Sequence, residues 1–101
     1  NSINKDIMTL YDTKMMSLLN KLKEYDNQII MLEKELKALT DQYSDGVTLK
    51  QQITLYQLMR SDLNYKNNKK IIESKLTLLR AERDKYYTDE MVNIQRMMDY
   101  I

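Results

Sequence analysis

The carboxylates are the first residues whose spacing could do chemistry. Glu33 and Glu35, Glu82 and Asp84, and Asp89 and Glu90 each stand close together. Paired acids on facing helices can hold a di-metal centre, but that site also takes a histidine three residues after a glutamate, and the chain has no histidine. The absence of both Cys and His removes the thiol nucleophile, the ordinary zinc site and the commonest general acid-base group. One glycine cannot build a phosphate-cradling loop. The run Asp41-Gln42-Tyr43-Ser44-Asp45-Gly46 places acids before a glycine as calcium loops do, but the ligand spacing differs and no closing Glu follows. These residues point away from catalysis, cofactors and metals.

Cations form the next grouping. Arg60, Lys66, Lys69, Lys70, Lys75, Arg80, Arg83 and Lys85 outnumber Asp62, Glu73, Glu82 and Asp84 in residues 60–85. Lys66, Lys69 and Lys70, beside Tyr65, could contact phosphates of nucleic acid or anionic lipid. The competing reading is a solvated helix face with intrahelical pairs such as Asp62 with Lys66. A net charge of +1 over the whole chain gives little long-range pull on either polyanion. Nucleic acid and membrane are therefore the alternative partners, not the leading ones. No apolar run approaches the roughly 18 residues of a spanning helix.

The elements that carry these side chains are helices. Charged residues make up 31% of the 101, with one Gly and no Pro, a mix that suits long helices or coiled coil. From Met8 the apolar residues step by three and four. Met8, Met15, Leu22, Ile29, Leu36 and Tyr43 take position a; Tyr11, Leu18, Tyr25, Leu32 and Leu39 take position d. No polar residue interrupts this seam, which is the pattern of a coiled coil. Ile7, Leu19, Met16, Ile30 and Met31 widen it, as in a bundle of three or four helices. Lys21 and Asp26 could pair between parallel partner helices.

The seam ends beside Ser44-Asp45-Gly46, all turn formers, with Gly46 placed for the left-handed conformation that ends helices. Thr48 and Gln51 then match a capping box. The predicted fold is all-α: a helix over 3–44, a turn at 44–47 and a helix over 48–101, forming an antiparallel hairpin that associates into a bundle. Two alternatives stand beside it. One is a single continuous helix in a parallel dimer; the other is three helices, with a second break near 64–70 in the Asn-rich run. In the second helix, Ile72, Leu76, Leu79, Arg83, Tyr87, Met91, Ile94, Met98 and Ile101 form a seam with a stutter. A hairpin turned at Gly46 would leave Met91, Ile94, Met98 and Ile101 overhanging as an apolar interface. A glycine-centred turn in about 100 residues resembles the small secreted helical hairpins of the WXG class. Their Trp-x-Gly reads Ser44-Asp45-Gly46 here, so nothing further is carried over from that resemblance.

The functional expectation is a single coiled-coil module of 1–101 that oligomerises, spaces or docks parts of a larger protein. Cytoskeletal, kinetochore, tethering and viral scaffold proteins all use such modules. The chain does not begin with Met and is read as a piece of something longer. Self-association or a helical partner chain is expected through the Met8–Tyr43 seam and the Met91–Ile101 end. Zero cysteines sits easily with an intracellular, cytoplasmic or nuclear setting.

Overall fold

A computed structural model describes residues 2–41, 54, 57 and 62–100. The described residues contain no strand and are helical apart from Asp62 and a turn at 99–100, and two long helices pack against each other. Helix α1 covers Ser2–Asp41 and helix α2 covers Leu63–Met98. Between them, Thr54 and Gln57 are described and are helical. The expected turn at 44–47, the Thr48–Gln51 capping box, Tyr43 and Ile101 lie outside the described residues.

The helix expected over 48–101 is interrupted. Asp62 is not helical, and its carboxylate accepts the backbone N–H of Asn64 at 2.9 Å and of Tyr65 at 3.3 Å. These are two of the donors left unpaired at a helix start, and Asp is among the best residues for the role. The Asp62 carbonyl then accepts the N–H of Lys66, opening the helical ladder. The break considered near 64–70 therefore sits at Asp62, and the Asn-rich run beyond it is helical throughout. Modest propensity at Asn64, Asn67 and Asn68 yields to the tertiary packing that stabilises most helices. At the other end Asp99 donates to the Gln95 carbonyl and Tyr100 to that of Met97, closing α2 in a turn.

The chain divides into two compact units. The first comprises Asn1–Asn27 and Leu79–Ile101. Its core is Leu18, Leu22 and Ile94, with Tyr11, Met15, Tyr86 and Met91 packed on it. The second comprises Gln28–Leu78, and within it Ile29 and Leu76 are buried.

The first unit corrects the expected register. Two helices reversing about Gly46 would set Asp26 opposite Lys66, which is equally far from the turn. Asp26 instead binds Arg83. The overhanging end fails for the same reason: Ile94 is 2% exposed in the chain's own core, and Met91 packs beside it. Burying them internally removes the apolar surface that a Gly46 register would have left in water.

Candidate assembly surface

On α1 the seam residues fall largely where their spacing places them. Leu18, Leu22 and Ile29 are buried; Tyr11, Met15, Tyr25, Leu32, Leu36 and Leu39 are half-buried. Met8 is 42% exposed, so the seam weakens toward the N-terminus. On α2, Leu76 and Ile94 are buried and Ile72, Leu79, Arg83, Met91 and Met98 are half-buried. Tyr87 is not part of this face. It is exposed, and Tyr86 packs on the core instead. The step of three from Arg83 to position 86 continues the regular alternation. The step of four from Arg83 to Tyr87 in the apolar spacing passes over it.

A polar layer closes the core of the first unit. The Tyr25 and Tyr86 rings lie 6.2 Å apart, tilted by 50°. Such tilted pairs let the electropositive edge of one ring approach the face of the other. Lys21 Nζ stands 5.4 Å from the Tyr25 ring centre and 3.5 Å from Glu24 Oε2. Beside this stack, Arg83 donates through Nε to Asp26 Oδ1 at 2.6 Å and through Nη2 to Oδ2 at 3.5 Å. The hydrogen bond to Asp26 raises the Arg83 guanidinium above its ordinary range; partial desolvation opposes this, and the charges of Asp26 and Asp84 add to it. The two-pronged fork gives an Arg–carboxylate pair its geometric specificity. Within the chain, Asp26 pairs with Arg83 and Lys21 lies beside Glu24.

The cations singled out for anion binding, Lys66, Lys69 and Lys70, are exposed in the early turns of α2. Lys69 Nζ is 3.9 Å from Glu73 Oε1, one helical turn away. No described group of three or more acidic side chains could hold a metal ion. No described helix is long and apolar enough to cross a membrane.

Apolar surface remains in quantity. In the first unit Ile3, Leu10, Met16, Leu19, Val92 and Tyr100 are all exposed. In the second unit Ile30, Met31, Leu63 and Leu78 are exposed. There Glu35, Ala38 and Leu39 of α1 and Asn68, Ile71 and Ile72 of α2 line an open, mostly apolar groove. Compared with protein-family models, curated proteins and solved structures, the chain matches none of them.

Proposed function

We propose that the chain is a non-enzymatic helical assembly module. Its two helices form an antiparallel hairpin, and the apolar flanks left uncovered dock onto other helices, so that the module oligomerises or joins parts of a larger protein. One observation carries this reading: the balance of burial. Five large hydrophobics are buried among the described residues, while thirteen are exposed. Single exposed apolar residues are ordinary, but contiguous apolar patches on a soluble surface mark contact sites. Two packed helices have only one shared seam, and a chain of this size buries too little by itself to be robust. A further helix laid along the flanks supplies what one seam lacks.

Antiparallel pairing has its own support. Tyr25 meets Tyr86, and the next residue, Asp26, meets Arg83. As numbers rise along α1, partner numbers fall along α2.

Light scattering coupled to small-angle scattering tests the reading. A mass of two chains or more is the expected result. A monomer at every concentration sinks the assembly role. A rod of about 150 Å, the length of 101 residues at 1.5 Å each, sinks the hairpin.

A further inference from the structure

Within the first unit α1 carries a second stripe, separate from the seam that packs on α2. Asp12, Met16, Leu19 and Lys23 follow one another at steps of four, three and four. At 3.6 residues per turn they fall within about 60° of one another around the helix. All four are exposed, Met16 at 60% and Leu19 at 55%. The side chains of Asp12 and Lys23 make no hydrogen bond or ion pair with any described residue.

The order of charges along this stripe is self-complementary. A two-fold axis passing between Ser17 and Leu18 exchanges position 12 with 23 and position 16 with 19. Met16 of one copy then meets Leu19 of the other, and Leu19 meets Met16. Asp12 meets Lys23 at one end of the contact, and Lys23 meets Asp12 at the other. Pairs related in this way are what an isologous contact requires. A parallel pairing would instead set Asp12 against Asp12 and Lys23 against Lys23, and like charges across a contact disfavour it. Tyr87 and Val92, exposed on α2 in the same unit, stand about 140° apart and form no such stripe.

We propose that the α1 stripe Asp12–Met16–Leu19–Lys23 binds a second copy of this chain, antiparallel, through an apolar centre flanked by two reciprocal ion pairs. The proposal rests on the assembly role above and names its partner and its orientation. Met at the centre suits a contact that must adjust to a rotated copy of itself, since its thioether side chain is flexible and polarisable.

Sedimentation equilibrium of the full chain, wild type beside charge-reversed variants, tests it. Asp12→Lys sets two lysines against each other at both ends of the contact. Lys23→Asp sets two aspartates there. Each single variant should dimerise about tenfold or more weakly than wild type, since two exposed pairs turn from attraction to repulsion. The double variant Asp12→Lys, Lys23→Asp restores the dimer. Mixing the two single variants should give a heterodimer tighter than either homodimer, because each reversed charge again meets its opposite. Circular dichroism in dilute solution checks that the variants keep their helices. If wild type is a dimer and the single variants dimerise equally well, this stripe is not the contact and the assembly role stands on another surface. If wild type stays monomeric, both the stripe and the assembly role are overturned.

Discussion

At the scale of single residues, the core of the first unit rests on very few side chains. Leu18 and Ile94 are each 2% exposed, and Leu22 completes the cluster. Leu18→Ala or Ile94→Ala should destabilise the chain by about 2–5 kcal/mol, the cost of lost burial plus the cavity left behind. Met31→Ala, at a position 64% exposed, should stay within about 0.5 kcal/mol. Urea unfolding of the three variants checks the contrast, and equal losses would contradict the burial pattern. The Asp26–Arg83 fork behaves differently from a buried contact because both partners keep access to water. Its worth lies in register more than in stability. A group whose pKa is raised on folding contributes stability that is fully present below its unfolded value and is lost only as pH rises through the folded one. For Arg83 both values lie above any working pH. The stability gap between wild type and Arg83→Gln should therefore stay constant from about pH 7 to 10, where an arginine remains charged. A gap that closes in that range, measured by urea unfolding at each pH, would show that another titrating group governs the pair.

At the scale of elements, Asp62 decides where α2 begins. Asp62→Ala should cost about 1 kcal/mol, whereas Asp62→Asn should cost a few tenths, because the amide oxygen can still cap the helix. Hydrogen exchange at the Asn64 and Tyr65 amides reads this locally. Both should exchange faster in Asp62→Ala, and unchanged rates would mean that the cap is dispensable. Asp62 and Lys66 are also spaced for a side-chain pair along the helix. In the fold, the Asp62 carboxylate faces its own helix start, where two orphan N–H donors bind it.

At the scale of the whole molecule, surplus apolar surface is the dominant fact. Residues such as Met16, Leu19, Met31 and Leu78 are too exposed for two helices to cover, which makes association the expected response. The concentration dependence of melting reads this independently of mass. Association stabilises by mass action, so the midpoint should rise with protein concentration. A midpoint that does not move with concentration would count against assembly.

The sequence by itself determined that the chain is helical and which side of α1 turns inward. An unbroken three-four spacing from Tyr11 to Leu39 admits only one buried stripe, and helical periodicity is a local property that needs no knowledge of the rest of the chain. It could not determine what that stripe meets. Many registers bury leucine against isoleucine with nearly equal gain, since hydrophobic attraction has no direction. Only the tertiary structure chose Tyr86 over Tyr87, brought Arg83 to Asp26, and took Ile94 out of the expected overhang into the core. That choice depends on residues far apart in sequence, where a directional charge pair and a tilted aromatic pair select one alignment among many apolar ones.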